Sequence, residues 1–348
     1  MSRTFATMKK LLPSPLWIGL LAIVVATVLA ACGGHGGGGS QSGAPGSGDQ
    51  IIFNNGRTGP VSEAARLSDE ATVTAVVTAN RSVTATKMAQ LIVAKMQTLP
   101  DFSVGGISTS GDPWGQFKDG SLYQVNVSDP EFFGLTNASS LPKKVTFKPA
   151  PSKETPKTTT ESSATFPAST KAYIIYGVEP ARSTPSPQLA TELAQAGYTV
   201  TLTHGGVADW TQISNAGVLM NDGHGLTALG KFYVSTTDVE TPALDKQYAS
   251  YLATRAMTIG GITVYDSSGK QSIEQRYCLS IDYLKSLPNY SSMFSANSFF
   301  MNVVCWGDSP EAAKFWGPLQ TAAGLGDYSG WSKPVEFDDA TQTTLYFF

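Results

Sequence analysis

Val218-Leu219-Met220-Asn221-Asp222-Gly223-His224-Gly225 and Ser298-Phe299-Phe300-Met301-Asn302-Val303-Val304-Cys305-Trp306-Gly307 decide how this chain is read. Each is an apolar run of strand length that delivers one reactive side chain, His224 or Cys305, and then breaks at glycine. In open α/β sheets the carboxyl edge of the strands is where ligands and chemistry collect. A thiol and an imidazole brought to one such edge are the minimum parts of a cysteine nucleophile and its base.

Working outward, Ala172-Tyr173-Ile174-Ile175-Tyr176 reads as a buried strand. Pro187 to Ala196 follows with Leu189, Leu193 and Ala194 at helical spacing, and Gly197 stops it. Tyr198 to Thr203 is a second strand, Trp210 to Ala216 allows a short helix, and Val218-Leu219-Met220 is the third strand. Strands alternating with helices point to βαβ units and a mainly parallel sheet. Further on, Ile262–Tyr265 and Ser272–Glu274 flank Asp266-Ser267-Ser268-Gly269 as a hairpin, and Ser280 caps a short helix through Leu287.

The N-terminal half is organised differently. Residues 1–31 read as a targeting segment, with Arg3, Lys9 and Lys10 ahead of an apolar stretch. The stretch ends in Leu29-Ala30-Ala31-Cys32, which resembles the lipobox of bacterial lipoproteins, whose cysteine is lipidated and becomes the new N-terminus. That resemblance implies lipidation (palmitate among the acyl groups) at Cys32, a lipid bilayer as partner, and a cell-envelope location, facing the periplasm or exterior. Residues 32–60, Gly/Ser-rich at their start, read as a tether, and His35 within them as solvated. Residues 61–150 read as a small α+β region, with Met88, Leu91, Ile92 and Met96 on a helix and Ser121–Val127 alternating like a strand. It suits either a membrane-distal spacer or a pro-segment over an active site. Residues 151–170, rich in Pro, Thr and Ser, read as a linker ahead of a domain at 171–348.

Charge and motifs exclude several functions. The formal charge is −3, and loss of the leader removes cations only. No basic stripe is visible, which excludes nucleic acid as the expected partner. No metal-ligand spacing, phosphate-binding glycine loop or Gly-x-Ser-x-Gly elbow occurs, so no metal or cofactor is expected.

The order strand, helix, strand, helix, strand, His-Gly, then a later apolar strand ending in Cys, resembles the caspase-like cysteine peptidases (caspases, gingipains, clostripain, legumain). The resemblance covers residues 172–348 and implies a three-layer αβα sandwich. It makes His224 and Cys305 a dyad, matches Gly225 to the glycine that follows the family histidine, and likens Tyr328-Ser329-Gly330-Trp331 to the next strand. The long gap from His224 to Cys305 requires an insertion, for which the hairpin near Gly269 is the candidate. The sequence stops at Leu345-Tyr346-Phe347-Phe348, an apolar run inside what would be the last helix of such a fold, which suggests a shortened fold or a truncated reading frame.

The chemistry follows from the residue types. A nearby imidazole favours the Cys305 thiolate. The amides of Gly225 and Cys305 could together form an oxyanion hole, and His224 could protonate the leaving amine of a peptide or protein substrate. Three readings of Cys305 remain open: catalytic thiol, disulfide partner of Cys278, or inert buried thiol. A bridge to Cys278 would favour a non-catalytic binding or scaffold lipoprotein with the caspase-like fold, or a redox-gated enzyme. Asp308 could select a basic side chain next to the scissile bond. Asp222 could orient an imidazole or simply serve a turn, and His204, before Gly205-Gly206, reads mainly as a turn histidine.

Overall fold

The computed structural model describes residues 48–127, 167–176, 186–265 and 271–331. The leader, Cys32, His35, most of the expected linker and the last seventeen residues, 332–348, lie outside them.

The alternation in the second half folds into an all-parallel sheet. Its strands are β5 (Lys171–Tyr176), β6 (Thr199–Thr203), β7 (Ala216–Asp222), β12 (Phe294–Val303) and β13 (Asp327–Gly330), ordered β13-β12-β7-β5-β6. Helices cover both faces, so the interior strands are apolar on both sides. Ala172, Ile174, Val218, Met220, Phe299, Met301 and Val303 pack with Leu189 and Leu193 of α3 (Ser186–Gln195). Leu219 and Phe300 point the other way, and the Phe300 ring meets Trp316 of α7 (Pro310–Ala322) edge-on at 4.7 Å. The architecture is α/β, and helices on both faces of the parallel sheet are compatible with a three-layer sandwich.

The helix expected at 210–216 lies earlier. It is a single turn, α4 (Val207–Trp210), because Asp209 accepts the Gly206 N–H at 2.9 Å and Asp238 accepts the Val207 N–H at 2.8 Å. Both carboxylates sit at its amino end. Asn215, at φ 54°, then turns the chain into β7.

A second, larger sheet was not legible. It contains β1 (Gln50–Asn54), β2 (Phe102–Ile107), β3 (Pro113–Phe117) and β4 (Leu122–Val125) from the N-terminal half. It also contains β8 (Gly225–Ala228), β9 (Lys231–Val239), β10 (Met257–Tyr265) and β11 (Gln271–Leu279) from the long gap. The order is β1-β2-β3-β4-β10-β11-β9-β8, and the one parallel pair, β4 with β10, joins the two halves. One sheet therefore spans the expected boundary between 61–150 and 171–348: the N-terminal strands complete the sheet begun by the inserted hairpins. The expected tether at 32–60 also ends sooner. Ile51-Ile52-Phe53 supplies a strand, and Gly106 lets it approach β2, since a Cβ there would lie 2.0 Å from the Gln50 carbonyl oxygen.

This sheet curls until its β8 end reaches the β2–β3 turn. Thr227 of β8 donates to Ser110 Oγ, in the β2–β3 turn, at 2.6 Å. Trp114, Leu122, Leu226, Tyr233, Ile262 and Cys278 fill one face. The other packs under α1 (Glu63–Ala79) and α2 (Ala85–Thr98), each started by a side-chain cap, Ser62 or Thr84. Met88, Ile92 and Met96 face this core as the helical spacing requires. Fully burying such a side chain contributes about 1.5–3 kcal/mol. A chain lacking residues 48–127 would expose this face and the β10 edge together. We expect it to show no cooperative thermal transition and to bind a hydrophobic dye; a sharp transition would mean that 171–348 folds alone.

A carboxyl pair is buried where α1 meets this sheet. Among the described residues, Glu70 of α1 and Glu240, after β9, receive no N–H or O–H donor, and they can pair with each other only by sharing a proton. Burial raises Glu240 to about 7 and also raises Glu70, on which Glu240 acts further in the same direction. Arg66 favours the charged forms, Asp245 opposes them, and Arg66 is itself 3.3 Å from Asp245. A carboxyl raised on folding contributes stability that is complete below about pH 4.5 and is lost as pH rises through 7. Thermal melts from pH 5 to 8 should show this decline, and Glu240→Gln should flatten it.

Candidate functional site

β7 and β12 are adjacent and parallel, with Asp222 opposite Val303. His224 and Cys305 each lie two residues beyond that pair, so both leave the carboxyl edge of neighbouring strands, which are about 4.8 Å apart. The ends are tied, because the Gly223 N–H donates to the Val303 carbonyl at 3.3 Å. His224 is 7% exposed and Cys305 is 5% exposed.

The decisive contact is between backbones. A Cβ on Gly225 would lie 2.0 Å from the Cys305 carbonyl oxygen and 3.0 Å from the Phe232 ring. Only glycine lets the two motifs meet. Gly225 pairs with Val234 of β9, and the Ser235 N–H donates to the His224 carbonyl at 2.8 Å. That is the non-hydrogen-bonded position of an antiparallel ladder, so the Gly225 N–H turns away from β9. The two backbones expected to share an oxyanion thus lie against each other.

The Cys305 turn is held from beneath. Trp316 Nε1 donates to the Gly307 carbonyl at 2.7 Å, and the Tyr328 hydroxyl donates to the same oxygen. Trp316 and Tyr328 stack at 4.2 Å. Asn221 Nδ2 donates to Asn302 Oδ1 at 2.8 Å across the two strands. A Cβ on Gly307 would lie 3.2 Å from both the Asn302 amide nitrogen and the Tyr328 hydroxyl, so the turn sits directly on this polar row. Burial pushes the Tyr328 hydroxyl pKa far up, which keeps it a donor. Trp306 adopts φ 61°, a left-handed conformation that costs about 1–2 kcal/mol. Ser309 then caps α7, accepting the Ala312 N–H at 3.1 Å, so the positive end of that helix begins just after the thiol.

The remaining candidates separate. Cys278 is not bridged to Cys305; both are thiols. Cys278 lies within the curled sheet, its sulfur against Gly260 (2.8 Å from a Cβ there) and among Trp114, Leu226 and Ile262. Burial raises its pKa strongly, which makes it unreactive. Asp308 is exposed in the Cys305 turn, its N–H donating to the Trp331 carbonyl at 2.8 Å. Asp222 accepts from Ser186 Oγ at 3.1 Å, at the start of α3. His204 is exposed at the end of β6, its carbonyl accepting from Thr237 Oγ1 at 2.7 Å and its ring 6.5 Å from Tyr176. Among the described residues, no group of three or more His, Cys, Asp or Glu is placed to hold a metal ion. Their helices include none long and apolar enough to cross a membrane.

Sequence reasoning missed Ser235, Asn221, Asn302, Tyr328 and Trp316. One signal was present: an asparagine stands three residues ahead of both His224 and Cys305. No family model, curated protein or solved structure matches the chain.

Gly225→Ala should push the Cys305 peptide away and cost about 1–3 kcal/mol, as overpacking does elsewhere. A lowered melting temperature with slowed alkylation of Cys305 would show it; an unchanged alkylation rate would mean the contact does not place the thiol.

Proposed function

We propose that this chain is a lipid-anchored, cell-envelope cysteine endopeptidase of the caspase-like type. The observation that carries the reading is the contact of Gly225 with the Cys305 carbonyl, beside two reactive side chains at equal distance past a paired strand position. His224 takes the Cys305 proton and the sulfur attacks a peptide carbonyl carbon. The carbonyl π electrons move to oxygen, where the amides of Gly225 and Cys305 receive them. His224 returns the proton to the leaving amine as the C–N bond breaks, leaving a thioester. Water, activated by the same imidazole, cleaves the thioester and frees the acid. Asp308, exposed three residues past the thiol, favours a basic side chain at the cut. Lipidation at Cys32 would hold the enzyme at the bilayer, and peptides or proteins there are its substrates.

The low exposure of Cys305 and His224 favours a second reading, a non-catalytic caspase-like scaffold lipoprotein. A peptide bearing an electrophilic carbon separates the two. The enzyme reading expects covalent capture at Cys305, abolished by Cys305→Ala and cut by about 100-fold or more in His224→Ala. Peptidase activity that survives Cys305→Ala would overturn Cys305 as the nucleophile, and no capture at all would favour the scaffold.

A further inference from the structure

We propose that Ser235 is the positioning residue for His224. The inference rests on the Cys305–His224 reading and concerns what makes that imidazole usable. Gly223 and Gly225 flank His224, and neither restrains the backbone between them. Something else must fix the two peptide planes that set the direction of its side chain.

Ser235 of β9 holds both. Its N–H donates to the His224 carbonyl at 2.8 Å, which fixes the 224–225 peptide. Its Oγ accepts the His224 N–H at 3.0 Å, which fixes the 223–224 peptide. In a regular antiparallel rung the second bond would run to the backbone carbonyl of residue 235. Here the hydroxyl replaces that carbonyl, so the rung closes on a side chain just before β8 begins. The chain is turned out of the strand line at His224, and a Cβ on Gly223 would lie 3.4 Å from the same hydroxyl.

Ser235 is itself rigidly set. It is buried, pairs across the ladder with Cys278 of β11, and stands in the sheet that the N-terminal strands complete. The acceptor that orients the base therefore belongs to the mixed sheet, whereas the thiol belongs to the parallel one. Alanine at 235 would keep the backbone rung to the His224 carbonyl and remove only the side-chain acceptor. Threonine would keep the acceptor on a residue type suited to strands.

The test is the pH profile of Cys305 alkylation by iodoacetamide in the full chain, with the modified peptide identified by mass. Wild type should show an acidic limb of reactivity that disappears in His224→Ala. Ser235→Ala should lose about tenfold or more of the rate near pH 6.5, within the range a misplaced group costs, with that limb shifted toward the His224→Ala profile. Ser235→Thr should restore it. If Ser235→Ala does not fold, Ser235→Cys, which keeps a weaker acceptor, decides by an intermediate profile. A wild-type profile in the folded Ala or Cys variant, with the limb still abolished by His224→Ala, overturns the proposal alone. A limb unaffected by His224→Ala overturns the dyad reading and this proposal together.

Discussion

The close approach of the Gly225 backbone to the Cys305 carbonyl is the constraint on which the site depends. Two glycine-bounded turns meet with no side chain between them, so small shifts in either strand would part the two backbones. Such precision needs rigid supports on both sides. The parallel sheet supplies one, because β7 and β12 are buried on both faces and locked in register through Asp222 and Val303. The second is the β8–β9 hairpin, which takes over the chain immediately after His224.

His224 thus stands at the seam between two sheets. This explains why the long gap before Cys305 is structural: its hairpins build most of the mixed sheet, and the N-terminal half completes it. It also bears on the role of residues 48–127. They are part of the wall on which the histidine is carried, and four of their strands continue its ladder. The polar row beneath the Cys305 turn has the complementary task. Asn221, Asn302, Tyr328 and Trp316 place directed hydrogen-bonding groups under a left-handed backbone at Trp306, where apolar packing alone would not fix the peptide orientation.

The same architecture carries a cost away from the site. Glu70 and Glu240 are buried without donors among the described residues where α1 lies on the mixed sheet, beside Arg66 and Asp245. A shared proton offsets the burial only while one carboxyl stays neutral, which couples the seating of α1 to pH.

The sequence by itself determined the local elements. Apolar runs marked β5, β7 and β12, strand-type residues β6, alternation β4, helical spacing α2 and α3, and turn and cap residues the β10–β11 hairpin and the Ser280 helix, since each is written in residues close together in the chain. It also marked His224 and Cys305, because each follows an apolar run and precedes glycine. Only the tertiary structure decided which strands are neighbours. The pairing of β4 with β10 joins segments far apart in sequence and leaves no local trace, so the N-terminal region read as separate. Cys278 read as a rival for Cys305 because both end strands; the curl of the mixed sheet turns its sulfur into an apolar interior instead. Ser235 was invisible for the same reason: a serine within a strand acquires meaning only from the backbone that the fold brings against it.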